Sequence, residues 1–413
     1  MQLARSRGGK PPPQVLIPAG VLVSSVGGGM YLLAVGVIFY DKFGGATAFA
    51  WLPTLQSIAV VVTQLVASVA SDSGHAQAIA SRAEFVRGSV VTAAAVATSF
   101  GHPEALAAAG VALALVQPFH RTPMFALAPL IAQGDALARY SARITTFLQT
   151  GQVIGAAVAG PLIMIDSSLP LYLNGASYLF SGFMVAISDI PQQARGTPWR
   201  LVASSIRPAS VSRSWLEGLR VFWATQLTLR LTILCAFDFL VIGWLNTIYA
   251  PLLTQWDVDT TWVSWWDGAF AIGALAGANL AGRWNLLRRG FTPLFVILVL
   301  EGVSAGVVGY TNAYLLVLVM LLLGLINAAS IALFSFFIQT SSQVEMVGRA
   351  AGLRQLSIAG TSVIALPGLS VVATRSVADS GTWLCCLMVL VSVSGAVLLR
   401  GRRLDPEQNP PRA

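Results

Sequence analysis

Long apolar runs alternate with short polar segments along most of the chain. A helix needs about 20 apolar residues to cross a bilayer, and twelve runs approach or exceed that length. The first six are Val15–Tyr40, Thr47–Ala70, Phe85–Phe100, Ala105–Ile131, Ile144–Ile165 and Leu169–Ser188. The second six are Leu229–Leu253, Val263–Gly282, Phe291–Tyr310, Ala313–Ile338, Ala351–Ala373 and Thr382–Leu399. A barrel would show short alternating segments, so the pattern predicts an all-α membrane protein with two six-helix bundles.

The composition fits the same class of protein. Of the 413 residues, 55% are hydrophobic and only 10% are charged, and the mean hydropathy is +0.72. Soluble domains carry about 25% charged residues, so most soluble enzymes and nucleic-acid-binding domains are excluded. The chain has no phosphate-binding Gly-Lys loop, and its three histidines and three cysteines show no metal-ligand or disulfide spacing. We therefore expect no enzymatic activity, no cofactor and no metal.

The positive charge reports the orientation in the membrane. With a cytoplasmic N-terminus, twelve spans return the C-terminus to the cytoplasm. All Lys and Arg residues, Arg87 among them, then fall on the cytoplasmic side except Lys42, Arg375 and the intramembrane Arg121. The net charge of +8 is thereby explained without nucleic acid as a partner. The preference for Arg over Lys is typical of a GC-rich bacterium, so a bacterial cytoplasmic membrane is expected.

Five segments follow from this topology. They are a cytoplasmic tail (1–14), an N-terminal bundle (15–188), a linker (189–228), a C-terminal bundle (229–399) and a second cytoplasmic tail (400–413). In the linker, Trp215, Leu219 and Phe222 share one helical face. That face predicts an amphipathic helix at the inner membrane surface, with a plain linker helix as the alternative.

A shift of 206 residues aligns parts of the two halves. It superposes Gln133 on Gln339, Arg143 on Arg349, Gln149 on Gln355 and Pro161 on Pro367. Each half has an even number of spans, so the repeat is parallel. A site between the halves near the middle of the membrane is then expected.

Several short motifs indicate a family. They are Ser141-Ala142-Arg143, Gly151, Gly155, Gly160-Pro161, Glu217-Gly218-Leu219-Arg220 and the segment from Gln339 to Gly348-Arg349. On these residues the chain resembles the major facilitator superfamily, and more narrowly its bacterial branch of macrolide and siderophore exporters. The resemblance implies two bundles that rock around a central cavity, a monomer, and proton-coupled export of small molecules.

The resemblance also supplies gating candidates. They are Asp72, Arg143, Gly151, Gly155, Gly160, Pro161 and Arg349. After Asp72, this chain has Ser73, Gly74 and His75 where the family loop is basic, which puts the gating role of that loop in doubt. Close helix packing would explain the span-five glycines equally well.

Intramembrane charges are the candidates for mechanism, because each costs about 3 kcal/mol at the bilayer centre unless it meets a partner or a cavity. Arg121, near the middle of span four, is a candidate to bind an anionic group or to interact with a carboxylate. The alternative is a structural pair with backbone carbonyls. Asp238 in span seven is a candidate for proton exchange or cation contact, with a helix-packing hydrogen bond as the alternative.

Three further residues complete the candidate set. His120 titrates near neutral pH in general, although a lone histidine is often only packed. Asn327, which the repeat pairs with Arg121, is a candidate cavity hydrogen-bonder. Glu301 lies in span nine, which is peripheral in the family, so a buried pair is the plainer interpretation.

The predicted function is export of an amphipathic small molecule in exchange for protons, by alternating access. The substrate, protons and the lipid bilayer are the expected partners. Import of a nutrient and a transport-inactive scaffold or sensor remain as alternatives.

Overall fold

The computed structural model describes residues 12–43, 46–190, 226–258, 261–283, 290–343 and 346–399. The first half contains α1 (Pro13–Phe43), α2 (Ala46–Ala70), α3 (Ala76–Ser99), α4 (Ala105–Val116), α5 (Pro118–Ile131), α6 (Gly134–Ile165) and α7 (Leu169–Ile187). The second half contains α8 (Leu227–Trp256), α9 (Thr261–Arg283), α10 (Thr292–Val308), α11 (Ala313–Ser341), α12 (Val347–Arg375) and α13 (Val377–Leu399). Each predicted span therefore contains helix. The predicted amphipathic linker helix and most of both tails lie outside the described residues.

Several helices differ from the apolar runs at their ends. The predicted fourth span is two helices, α4 and α5, which meet at Gln117 immediately before a proline. Helix α3 begins at Ala76 instead of Phe85, and α6 begins at Gly134 instead of Ile144. Hydropathy marks only the apolar part of a helix, whereas backbone hydrogen bonding continues through polar residues once their side chains find partners. A π-helical turn over Ser71–His75 joins α2 to α3.

Length and apolar composition together single out six helices of the described residues as able to cross a membrane. They lie in Pro13–Val35, Gly134–Ile165, Leu227–Tyr249, Ala313–Ser341, Val347–Arg375 and Val377–Leu399. Ile58–Ala70 and Thr292–Val308 are apolar but shorter. The remaining spans are less distinct because they are short or because they contain polar residues, such as Glu84 and Arg87 in α3.

The chain forms two compact units. Unit 1 comprises Met1–Val221 with Gln343–Ala359, and unit 2 comprises Phe222–Ser342 with Gly360–Ala413. In unit 1, α1 packs on α6, α2 on α4 and α5, and α3 on α7. In unit 2, α9 packs on α11 and α10 on α13. Counted as spans, with α4 and α5 together forming span four, the second span of each half thus contacts the fourth, and the third contacts the sixth. A parallel repeat predicts this relation.

Glycines allow the closest of these contacts. A Cβ atom at Gly155 would lie 2.1 Å from the carbonyl oxygen of Val26, and one at Gly151 would lie 2.6 Å from that of Leu22. Backbones of α1 and α6 therefore touch at these positions. Gly160 has no atom within 4 Å of such a Cβ atom. Two of the three span-five glycines thus serve helix packing, and the third does not.

Candidate functional site

Two buried carboxyl groups lie side by side in unit 2. Asp238 of α8 and Glu301 of α10 are both fully buried, and their carboxyl groups interact electrostatically. An ionised carboxylate can only accept hydrogen bonds, so a hydrogen bond between the two groups would need a proton on one of them. A shared proton also removes the repulsion that two adjacent negative charges would suffer in an apolar interior.

Helix α11 supplies the polar surroundings of this pair. The Oγ of Ser330 donates to Oδ1 of Asp238, and Nδ2 of Asn327 donates to Oε1 of Glu301 at 3.4 Å. Asn327 and Ser330 are three residues apart, so they lie on one face of the helix. The structure therefore brings together three residues that the sequence proposed separately. Sequence analysis missed Ser330, although its spacing from Asn327 would have indicated it.

Unit 1 contains a second buried cluster, around Glu84. The Glu84 carboxylate of α3 is fully buried and forms an ion pair with Arg87 one turn later. The Nδ1 of His120, on α5, lies 3.3 Å from Oε1 of Glu84 and 3.5 Å from the carbonyl oxygen of Ala80. The guanidinium of Arg87 stacks over the ring of Tyr178 on α7, with Cζ 3.9 Å from the ring centroid.

Sequence analysis missed Glu84 and placed Arg87 with the cytoplasmic charges. The structure places Arg87 inside α3, with its side chain only 14% exposed. The three-residue spacing of Glu84 and Arg87 was the available signal, since it allows an ion pair along a helix. Such a pair lets α3 continue through sequence that hydropathy alone excludes.

The two clusters occupy related places in the two halves. Each places a buried glutamate of the third span of its half next to a polar side chain of the fourth span. Glu84 contacts His120, and Glu301 contacts Asn327. This correspondence lies outside the constant shift of 206 residues, because the loops of the two halves differ in length.

Arg121 is the one exposed side chain of α5. It interacts electrostatically with Arg87, Tyr178 and Arg354. Among the described residues, no carboxylate forms an ion pair with it.

Asp72, in the π-helical turn, binds the start of α12. Its carboxylate accepts the N–H of Gly348 at 2.6 Å and the N–H of Arg349 at 3.1 Å, and it lies 3.7 Å from Nε of Arg349. A carboxylate at this position satisfies backbone donors at a helix N-terminus and complements the helix dipole. Although the sequence after Asp72 is altered, Asp72 itself therefore keeps a tertiary contact.

Arg143 has a different partner from Arg349, although the repeat aligns the two. Its guanidinium donates to the carbonyl oxygen of Gln14 at 3.2 Å, and Nε2 of Gln14 donates to the carbonyl oxygen of Ile131 at 3.0 Å. Arg143 thus ties α6 to the first turn of α1. Pro161 lies inside α6 and is exposed.

No sequence-family profile and no curated protein matches this chain. Solved structures do match it. FucP, a major facilitator superfamily transporter in the outward conformation, is 12% identical with a TM-score of 0.74, over 94% of this chain and 99% of FucP. A bacterial homologue of the iron transporter ferroportin is 14% identical with a TM-score of 0.70, over 94% of this chain and all of that one. The human organic anion transporter MFSD10 (TETRAN) is 15% identical with a TM-score of 0.72, over 94% of this chain and 99% of that one.

These likenesses establish the fold. The described residues have the all-α fold of major facilitator superfamily transporters with twelve spans, as the sequence predicted, and the fourth span is divided into α4 and α5.

Proposed function

We propose that this protein is a secondary active transporter that couples export of an amphipathic small molecule to protons. The observation that carries the proposal is the Asp238–Glu301 pair, because two neighbouring buried carboxyl groups in an apolar helical bundle have no evident structural necessity. Replacing such a pair by apolar side chains would generally be neutral or stabilising. Its presence within this fold favours a role in proton exchange.

The coupling follows from the charge of the pair. With one proton bound, Asp238 and Glu301 attract each other through a hydrogen bond. Loss of that proton leaves two adjacent carboxylates whose repulsion favours a conformation that separates or hydrates them. A bias of about 5.5 kcal/mol would invert the populations of two states from 1:99 to 99:1, and a smaller bias suffices for a partial shift.

The Asp72 contact supports alternating access. We propose that its hydrogen bonds to Gly348 and Arg349 form in one state of the cycle and break in the other. Charge-assisted hydrogen bonds of this kind contribute about 1.5–3 kcal/mol each, which is enough to hold a state without locking it. Gly151, Gly155, Gly160 and Pro161 remain gating candidates, and the first two also pack against α1.

Import is the second candidate function. It is favoured by the likeness to the fucose:proton symporter FucP of E. coli and to the proton:xylose symporter XylE. Export is supported by the resemblance of the motifs to bacterial macrolide and siderophore exporters. Uptake of the transported molecule into inverted membrane vesicles, driven by a proton gradient directed out of the vesicle, would support export. Accumulation confined to right-side-out vesicles would contradict it.

We further propose that the protein is a monomer in the bacterial cytoplasmic membrane, with both termini in the cytoplasm. The asymmetry of Lys and Arg supports this orientation. A fluorescent protein fused after Ala413 should fluoresce, and a phosphatase fused there should be inactive. An active phosphatase fusion would reverse the topology.

Infrared spectroscopy of the purified protein tests the proton site without knowledge of the substrate. The C=O band of a protonated carboxyl should be present near neutral pH and should change in Asp238→Asn and in Glu301→Gln. Asp379→Asn, at an exposed position of α13, is the matched control and should leave the band unaltered. An identical band in all three variants would remove the basis of the proposal.

The same variants separate transport from a scaffold role. A thermal-shift screen of small molecules at two pH values should find a ligand whose apparent affinity depends on Asp238. If Asp238→Asn and Arg121→Ala both leave every transport phenotype unchanged, the scaffold or sensor interpretation is favoured.

A further inference from the structure

Aromatic rings cluster at the end of unit 2 where α8 ends and α9 begins. At the centre is Trp266, which is fully buried and donates from Nε1 to the carbonyl oxygen of Ala313 at 3.0 Å. The ring centroids of Tyr249, Trp256 and Trp262 lie 5.9, 5.8 and 6.4 Å from that of Trp266. These three residues are each partly exposed. Trp266 thus belongs to the core, and the three rings around it form an accessible aromatic surface.

A carboxylate borders this aromatic surface. Asp267 follows Trp266 on α9, and its Oδ1 accepts a hydrogen bond from the hydroxyl of Tyr249 at 2.6 Å. Asp267 is otherwise exposed, and among the described residues it forms no ion pair. A carboxylate has about four acceptor sites, so most of the hydrogen-bonding capacity of Asp267 is open to a ligand or to water.

The position of Asp267 along α9 makes its exposure informative. It lies six residues beyond Thr261, where α9 begins, which is about 9 Å along the helix axis. Helix α9 is the eighth span of the chain, and a charge that faces lipid costs about 3 kcal/mol near the bilayer centre. An exposed carboxylate on such a helix therefore indicates a face that meets water or a solute.

The charges of the neighbouring sequence are negative. Between Arg230, at the start of α8, and Arg283, at the end of α9, the chain has no Lys or Arg and four aspartates. Helix α11, which packs on α9, has no charged residue. A cation that approaches Asp267 thus meets no basic residue on the three helices that carry the ring cluster.

A basic residue of another helix lies on the other side of α8. Arg375, at the end of α12, lines a cavity of about 510 Å³ together with Pro251 and Thr254 of α8. Those two residues are roughly 150° around the helix from Tyr249 and Trp256, at 100° per residue. The cavity beside Arg375 is therefore separate from the aromatic surface.

We propose that Asp267 and the rings of Tyr249, Trp256 and Trp262 bind an organic cation, and we call these four residues the aromatic–acid site. The inference rests on the proposed transport function and names its substrate class. Trp and Tyr rings attract a cation that lies over the ring face, and quaternary ammonium groups are recognised in this way. The carboxylate balances the charge of the cation, and the rings contact its apolar part. The same carboxylate repels an organic anion.

The test uses full-length purified protein and small aromatic probes. Benzyltrimethylammonium is the cation, benzenesulfonate is the matched anion, and benzyl alcohol is the neutral molecule. Binding is measured by isothermal titration calorimetry at about pH 8, far above the ordinary pKa of an aspartate. Both ions keep their charge at this pH, so a difference between them reports the sign of charge that the protein prefers.

The carboxylate is tested by removal of its charge. Benzyltrimethylammonium should bind, and the other two probes should not. Asp267→Asn keeps an acceptor for the Tyr249 hydroxyl, and it should weaken cation affinity about tenfold or more because a charge pair at about 4 Å is lost. Asp379→Asn, at an exposed position of α13 in the same unit, is the matched control and should bind as the wild type does.

The rings are tested separately from the carboxylate. Tyr249→Leu should weaken cation affinity about fivefold, because one cation–π contact is lost. Tyr249→Phe keeps the ring and should recover most of that loss. Trp265→Leu removes a tryptophan that is 67% exposed and lies outside the ring cluster, so it should bind normally.

The inference is overturned if benzyltrimethylammonium does not bind, if either other probe binds as tightly, or if Asp267→Asn binds normally. Normal binding by Tyr249→Leu would overturn the role of the rings. Asp238→Asn should retain cation binding, because Asp238 is not part of this site. An altered infrared band without cation binding would therefore refute the aromatic–acid site alone, and cation binding with no carboxyl band would refute the proposed proton pair alone.

Discussion

Asp72 and Gly348 approach each other too closely for a side chain to fit between them. The N–H of Gly348 donates to Oδ1 of Asp72 at 2.6 Å, and a Cβ atom on Gly348 would lie 2.5 Å from the same oxygen. It would also lie 2.7 Å from the carbonyl oxygen of Ser68. Glycine is therefore required where α12 begins, because Asp72 can bind the helix N-terminus only at this distance.

Gly348→Ala is expected to displace Asp72 from α12. The overpacked methyl group should cost about 1–3 kcal/mol and weaken the capping hydrogen bonds. The apparent unfolding temperature of the purified protein should fall. Gly360→Ala on the same helix has no atom within 4 Å of the new Cβ atom and is the control. Equal unfolding temperatures for the two variants would contradict the tight contact.

Gly155→Ala is expected to force α1 and α6 apart. Its Cβ atom would lie 2.1 Å from the carbonyl oxygen of Val26, and backbone cannot move aside as a flexible side chain can. We expect a loss of about 1–3 kcal/mol or more, visible as a lower unfolding temperature. Gly160→Ala, one and a half turns later, should be neutral because its surroundings are open. Tolerance of both substitutions would argue against glycine-mediated packing of these helices.

Removal of one partner of the Glu84–Arg87 pair should be more harmful than removal of both. Arg87→Gln leaves a fully buried carboxylate without its cation, and loss of one partner from a buried pair costs about 3–5 kcal/mol. The double variant Glu84→Gln with Arg87→Gln removes both charges and should recover part of that loss. Unfolding temperatures of the two single variants and the double variant measure the coupling. If the losses of the two single variants simply add in the double variant, the interaction between Glu84 and Arg87 does not contribute to stability.

The loop between α6 and α7 should make stability sensitive to acid. Asp166 accepts hydrogen bonds from Oγ of Ser168 at 2.6 Å and from its N–H at 2.8 Å, and these lower the pKa of the Asp166 carboxyl, the hydroxyl contributing most. A lowered pKa in the folded state contributes stability above the ordinary value for Asp, and that stability is lost as the pH falls through the lowered pKa.

The wild type should therefore be more stable than Asp166→Asn near neutral pH, and the difference should vanish in acid. Unfolding temperatures measured over a pH series check this. A difference that persists unchanged in acid would assign it to packing, because Asn cannot titrate.

The sequence predicted the fold class because hydropathy is a local property. The twelve apolar runs, the Lys and Arg asymmetry and the parallel repeat each follow from residues that are close in sequence or related by one shift. The helix ends were less accurate. Arg82 and Glu84 made the start of α3 look like a loop, although Glu84 is paired with Arg87 in the folded protein.

The candidate site was predicted residue by residue but not as an arrangement. Asp238 and Glu301 were identified from the cost of a charge in the membrane, and Asn327 from the repeat that pairs it with Arg121. Their meeting with Ser330 depends on how α8, α10 and α11 rotate against one another, and no local pattern encodes that rotation.

By itself, then, the sequence determined the fold class, an all-α membrane protein, because the apolar character of each segment is decided within that segment. Only the tertiary structure decided which ionisable groups meet, as with Asp238 and Glu301, and which have no carboxylate partner among the described residues, as with Arg121. The physical reason is that a polar side chain within the membrane takes its partner from a neighbouring helix. Contacts between residues far apart in sequence, such as Gly155 and Val26, determine which helices are neighbours.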